Sequence, residues 1–342
     1  MKEFLGVQMP FFMPDATLGA VRTLTTDQLE GTGTEVVVVN TLHLLTSFGV
    51  EGMRKVNGIA SLMDWSGKVL SDSGGFQVYS LIHKNPKLGK VTAYGAYFNS
   101  PRDGKKTLLT PEISIDMQMA IDSDMLVVLD DCRASDVSRE EAEKSVFHTT
   151  RWAERAKVHL QEEYSEKSRQ KKLFAVVQGG GFEDLRRRSA EELMDIGFDG
   201  YCFGGWPVDS SGSLVEDMLQ LVSELVPENV PTYAMGIGTP DNIRTCFSLG
   251  YSIFDCVLPT RNARHGLLYT SEGELRITKT EFKYDTKPID ESCACDTCRR
   301  YSRAYVHHLF RSGEAAAASH ATIHNLTFYA KLMRDLREKT SH

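Results

Sequence analysis

Phe174-Ala-Val-Val177 ends in Gln178, an amphipathic stretch follows over residues 182–196, and Tyr201-Cys-Phe203 then ends in Gly204-Gly205. A short β-rich run, a helix-length segment and a second short run make a strand–helix–strand unit. Working outward, similar runs stand at residues 11–14, 36–39, 69–71, 126–129, 232–235 and 253–255. Helix signals fill most of the intervals. Thr110-Pro-Glu opens a segment reaching Asp122, with Thr110 as N-cap and Pro111 in the first turn. Ser138-Arg-Glu-Glu opens a longer one with the spacing of a capping box. Residues 213–225 and 239–249 continue the alternation. Eight runs alternating with helices predict an α/β fold, a TIM (β/α)8 barrel. An open doubly wound sheet is the alternative; periodicity does not separate the two, and strand count favours the barrel.

The residues that end these runs carry chemistry. Asn40, Asp72, Asp130, Gln178, Gly204-Gly205, Met235-Gly236 and Asp255 fall at predicted C-terminal strand ends, which converge on one face of a parallel barrel. Any one of them could simply cap a strand. Three carboxylates and two amides aimed at one mouth predict an active site.

At 342 residues the chain can bury a substantial core, and it contains no run of eighteen apolar residues and no charged-then-apolar leader. The expectation is a cytoplasmic protein with no membrane segment. A net charge of −7 does not advertise a nucleic-acid binder, although a local basic patch suffices to hold phosphates. Of seven cysteines, those at 132, 202, 246 and 256 stand singly and read as small buried hydrophobes. The other three crowd into Cys293-Ala-Cys-Asp-Thr-Cys298, which suits a metal, by softness zinc, in a reducing compartment. With a fourth ligand the site would be closed and structural. His307, His308, His320 and His324 are candidates among which the residues alone do not choose.

Several motifs in order resemble the tRNA-guanine transglycosylases: Ser71-Asp-Ser-Gly-Gly-Phe-Gln77, Val177-Gln-Gly179, Met235-Gly-Ile-Gly-Thr239, Phe254-Asp-Cys-Val-Leu-Pro-Thr-Arg-Asn-Ala-Arg264, and the cysteine cluster followed by Ile323-His-Asn325. The resemblance spans nearly the whole chain. It implies a barrel over residues 1–280, with a zinc-binding subdomain and closing C-terminal helix over 281–342. It makes His324 the fourth zinc ligand, Asp255 the nucleophile and Asp72 the general acid/base. Asp130 is similar to the family's base reader, and Ser73, Gln178 and Gly205 to further base-binding groups. Phe76 and Met235 resemble the apolar faces that sandwich the base. The implied reaction exchanges the guanine at the tRNA wobble position for 7-aminomethyl-7-deazaguanine through an aspartyl-ribose intermediate, in queuosine biosynthesis. Alternatives are queuine as incoming base, a DNA target, or a non-catalytic RNA-binding subunit, which the intact Asp72 and Asp255 motifs oppose.

Arg261, Arg264, Arg276, Lys279, Lys283 and Lys287, then Arg299, Arg300 and Arg303, follow the nucleophile motif, and phosphate contact is expected there. Tyr301, Tyr305 and His308 match an aromatic homodimer interface. The chain stops soon after His324, without room for the extra RNA-binding domain of archaeal relatives, and most of the usual N-terminal hairpin is missing. After Gly204-Gly205 the family's bacterial pattern is replaced by Trp206-Pro-Val-Asp-Ser210. Val208 and Cys132 resemble residues of the bacterial pattern and favour the smaller base. Pro207 has no N–H, so the Trp206–Pro207 peptide can offer the pocket only a carbonyl, which should disfavour guanine re-incorporation.

Overall fold

The computed structural model describes residues 3–100, 104–134, 136–209 and 211–339. Ser210, the last residue of the departing motif, lies outside them. Eight parallel strands form the centre: β1 (Phe11–Pro14), β2 (Val36–Asn40), β3 (Lys68–Asp72), β4 (Met125–Val127), β5 (Lys172–Val177), β6 (Gly200–Phe203), β7 (Thr232–Ala234) and β8 (Ile253–Cys256). Each predicted run is a strand, with ends displaced by one or two residues. The decisive pairing is β8 with β1, in register Ile253↔Phe11 to Cys256↔Pro14. An open doubly wound sheet does not return its last strand to its first. A parallel bridge, Asp15↔Val38, and the Ala16 N–H on the Val38 carbonyl at 2.8 Å draw β1 to β2. The sheet is a barrel.

The strands read as continuous apolar runs because both faces are covered. Phe11, Val36, Leu70, Leu126, Phe174, Val176, Tyr233 and Ile253 belong to one buried apolar cluster. Helix starts follow the sequence signals: Thr110 caps Pro111–Ile121 by accepting from the Ile113 N–H at 3.2 Å. Ser138 caps Arg139–Glu163, but the predicted capping box is only half made. The Glu141 carboxylate takes the Ser138 hydroxyl instead of reaching back to the backbone.

The N-terminal end of the barrel is covered by a two-stranded hairpin, Glu3–Phe4 with Val7–Gln8, whose Phe4 packs edge-on against Phe174 at 5.7 Å. Helix Ala315–Lys339 then joins two regions. Its Tyr329 lies 4.7 Å from the Phe12 ring and hydrogen-bonds the Gly238 carbonyl, and Arg337 Nε donates to the Pro10 carbonyl at 3.1 Å. Its buried Asn325 laces the segment after β8, accepting from the Tyr269 N–H and donating to the Pro259 and Leu267 carbonyls. Among the described residues no helix is long and apolar enough to cross a membrane.

One insertion was not anticipated from sequence. Between β3 and helix Pro111–Ile121 the chain forms helix Gly75–Lys84 and a three-stranded antiparallel sheet of Gly89–Thr92, Gly95–Asn99 and Lys106–Leu109. Ala96, Phe98 and Leu109 on its inner face pack on Val78, Leu42, Leu129 and Trp152 at the C-terminal end of the barrel.

Candidate active site and metal centre

The C-terminal strand ends surround a cavity of about 620 Å³, lined among others by Asp72, Asp130 and Asp255, by Asn40, Phe76 and Met235, and by residues 204–208. Strand register explains the meeting: Asn40 stands beside Asp72, each last in its strand, and Asp255 beside Met13, each one residue before its strand's end.

Asp255 on β8 is held through one oxygen. Its Oδ1 accepts the Tyr233 hydroxyl at 2.7 Å and the Gly236 N–H at 2.8 Å. Burial pushes its pKa up to about 6, with Asp72 and Asp15 adding to the rise and these two donors restraining it. Asp72 Oδ2 accepts from Asn40 Nδ2 at 3.0 Å, while Asn40 Oδ1 caps the next helix at the His43 N–H. Burial raises Asp72 as well, against hydrogen bonds from Gln77, Asn40 and the Ser73 and Gly74 backbone.

Asp130 follows β4. It accepts from Gln178 Nε2 at 2.8 Å and Ser73 Oγ at 3.3 Å, and burial, then Asp72 and Asp131, push it up to about 7. Gly75 permits this approach, because a Cβ there would stand 2.6 Å from the Asp130 carbonyl oxygen. Ser73 and Gln178 are fully buried and hold Asp130 from behind rather than lining the cavity wall. Gly205, Phe76 and Met235 do line it, with Phe76 6.2 Å from Trp206. Pro207, Val208 and the buried Cys132 complete that side. Asp209 instead serves its own loop, accepting from the Ser211 and Ser213 N–H groups.

Two supporting residues, Tyr233 and Arg186, escaped the sequence reading, and a third, Asn40, was noted without its role. Tyr233 could have been found from alternation along the predicted run 232–235, since it lies two residues before Met235. Asn40 was noted as a strand end, but its bond to Asp72 depends on register. Arg186 gave no signal at all. Its guanidinium is buried over the Phe203 ring at 4.1 Å and donates to the Val177 and Gly180 carbonyls, so it clamps both sides of Gln178. Burial lowers its pKa to about 10.

In the C-terminal region Cys293, Cys295, Cys298 and His324 bring their ligand atoms within 4.8 Å of one another, an arrangement that could hold a metal ion. His324 Nδ1 lies 3.8 Å from Cys295 Sγ and 3.3 Å from Cys298 Sγ, and its Nε2 lies 2.8 Å from the Tyr269 carbonyl. That second contact fixes the ring so that Nδ1 faces the thiols. The other candidate histidines are engaged or placed elsewhere: His307 bonds the Ile277 carbonyl, His320 packs at a tilt against Tyr301, and His308 is on the surface.

The basic residues after β8 differ in exposure. Arg261 is exposed at the end of helix Leu258–Arg264. Arg264 is half-buried with Nη1 lacking a partner, and burial and the nearby Arg22 and Arg261 lower its pKa. Lys279 and Lys283 are exposed; Lys279 reaches Glu281 at 3.8 Å and Lys283 lies 5.0 Å over the Tyr284 ring.

Residues 3–341 match the family model described as Queuine tRNA-ribosyltransferase. The chain belongs to the queuine tRNA-ribosyltransferase family. It is 44% identical over 334 residues to a protein of that name from Thioalkalivibrio sulfidiphilus, covering 97% of this chain and 86% of the relative. The corresponding protein of Dechloromonas aromatica is 42% identical, with 97% and 88% covered. Barrel, acidic mouth and Cys3His cluster thus occur in a chain whose family membership extends over nearly its full length.

Proposed function

We propose that this member of the queuine tRNA-ribosyltransferase family exchanges guanine at the wobble position of tRNA for 7-aminomethyl-7-deazaguanine through a covalent aspartyl-ribose intermediate. Family membership makes the chain a pentosyltransferase of tRNA modification in the queuosine pathway. The observation that carries the finer reading is that Asp72, Asp130 and Asp255 share one cavity of about 620 Å³, space for a purine-sized base and its ribose.

In the proposed sequence, Asp255 attacks C1′ of the target ribose while the C1′–N9 bond breaks and its electron pair leaves with guanine. Asp72, whose pKa burial raises, gives a proton to the departing base. It then takes the N9 proton of the incoming deazaguanine, whose nitrogen attacks C1′ and releases Asp255. Asp130 reads the base edge, accepting two hydrogen bonds from the ring N–H and exocyclic amine. The Gly205 N–H meets the base carbonyl, Gln178 acts behind it by holding Asp130, and Phe76 and Met235 stack on the base's faces. The test is to trap a protein–tRNA adduct on denaturing gels in wild type, Asp255→Ala and Asp72→Ala. An adduct in Asp255→Ala would refute the assignment.

The position of Asp130 near pH 7 makes base binding pH-dependent. Only its ionised form accepts both bonds, so base affinity should fall about tenfold per pH unit below about 7. Isothermal titration with the free base between pH 5.5 and 8.5 checks this; a flat profile contradicts the role. Pro207→Ala restores an N–H beside the pocket, and labelled-guanine exchange should rise relative to deazaguanine incorporation. An unchanged ratio removes Pro207 from the account of specificity.

For the metal centre we propose structural zinc. Tetrahedral zinc with bonds near 2.3 Å to sulfur and 2.05 Å to nitrogen sets S···N at about 3.6 Å, and 3.3 and 3.8 Å bracket that value. Arg261, Arg264, Lys279 and Lys283 are proposed to contact tRNA phosphates. A homodimer is proposed through the exposed face of Tyr305 and His308, with Tyr301 stacked on Tyr305 at 4.9 Å. The thiol cluster supports a reducing, cytoplasmic location.

A further inference from the structure

We infer that the outer face of the antiparallel sheet inserted after β3 is a second tRNA-binding surface, on which Tyr97 stacks a base and Lys90 and Lys106 hold phosphates. The inference rests on tRNA being the substrate. Residues 73–111 contain Lys84, Lys87, Lys90, Arg102, Lys105 and Lys106 against one acid, Asp103, in a chain whose net charge is −7. So local an excess of positive charge is the electrostatic footprint of a polyanion site, which net charge conceals.

The register decides how these charges are displayed. Lys90 pairs with Tyr97, and Asn99, two residues on from Tyr97, pairs with Lys106, so Lys90, Tyr97 and Lys106 share the face opposite the buried Ala96 and Phe98. Tyr97 is 38% exposed, which leaves ring surface free for stacking, and the Lys90 ammonium lies 5.9 Å from its centroid. At the tip of the same hairpin Tyr94 is 57% exposed with Arg155 at 5.1 Å. Aromatic rings alternating with cations on an exposed sheet are the surface on which single-stranded nucleic acid stacks. Lysine is depleted from the cores of protein–protein interfaces, so this face fits RNA better than a protein partner.

Position supports the same partner. The insertion leaves the barrel at the C-terminal end of β3, directly after Asp72, and helix Gly75–Lys84 carries Phe76 into the cavity on one side and Val78 against the sheet on the other. Helix Leu258–Arg264, which carries Arg261 and Arg264, follows β8, three strand intervals away round the ring. The two basic regions therefore flank the mouth from different sides, as a strand whose target base is drawn into the cavity between them requires.

The test measures tRNA binding by fluorescence anisotropy at several salt concentrations in wild type, Lys90→Gln/Lys106→Gln and Tyr97→Ala. Removing two phosphate contacts should reduce the slope of log K against log[salt] by about 1.4–1.8, and Tyr97→Ala should weaken binding about tenfold. Turnover at saturating tRNA and the KM for the free base should stay unchanged. Unaltered affinity and slope in a protein that still exchanges base overturn this inference alone. A wild type that fails to exchange base at all overturns the function above it. A changed sedimentation mass with unchanged tRNA affinity makes the face a protein contact, which also overturns the inference.

Discussion

Asp255→Asn will abolish the tRNA adduct and lower base exchange by at least about 10⁴-fold, while the protein becomes more stable at pH 8. The rate follows from the role: an amide oxygen cannot form the ribosyl ester, and loss of a nucleophile removes most of what its partners contribute. The stability follows from burial. The folded pKa of Asp255, about 6, lies above its ordinary value of 3.8. A carboxyl raised on folding binds its proton more tightly in the native state, so its contribution is most favourable below the unfolded pKa. That contribution is lost as pH rises from about 4 to about 6. At pH 8 the ionised group costs about 2–3 kcal/mol. Asparagine carries no such charge, and its Oδ1 still accepts from Tyr233 and Gly236. Thermal unfolding of both proteins at pH 3.5 and pH 8 should show a gap in Tm that opens only at the higher pH. A variant less stable than wild type at pH 8 would mean that the carboxylate is solvated, and burial could no longer be its activating device.

The second large effect concerns the metal. Cys298→Ala should lose one equivalent of zinc by elemental analysis and about 10 °C in Tm. Structural zinc contributes about 10–16 kcal/mol in small zinc domains, and losing even about 5 kcal/mol corresponds to about 10 °C at about 2 °C per kcal/mol in a chain of this size. The cluster ties residues 293–298 to His324 in the helix that also packs on Phe12 and Gly238, so its loss should loosen the barrel's closure as well. Chelator-stripped wild type should melt with the variant and recover on adding zinc. Equal melting temperatures for stripped and loaded wild type would show that the cluster holds no structural ion.

Much of this architecture was legible in the residues themselves. Short apolar runs and capping threonines mark strands and helix starts because hydrogen-bond periodicity and N-cap chemistry act within a few residues. The three clustered cysteines likewise announced a metal-ligand cluster, since six residues of chain are enough to gather three sulfurs. Tertiary structure alone decided the rest. Whether eight strands close depends on β8 finding β1 some 240 residues away, which no local pattern encodes. The residues alone did not choose His324 over three other histidines; the family resemblance named it, and the helix Ala315–Lys339 brings it to the thiols. Gln178 turned inward to hold Asp130, and Arg186 came to brace Gln178, because burial demands partners for polar groups and those partners come from distant segments. The basic sheet after β3 was visible as composition, but only strand register put Lys90, Tyr97 and Lys106 on one face. Sequence determined which elements exist, because their causes are local; the fold determined which side chains meet, because charge, burial and register are properties of neighbours in space.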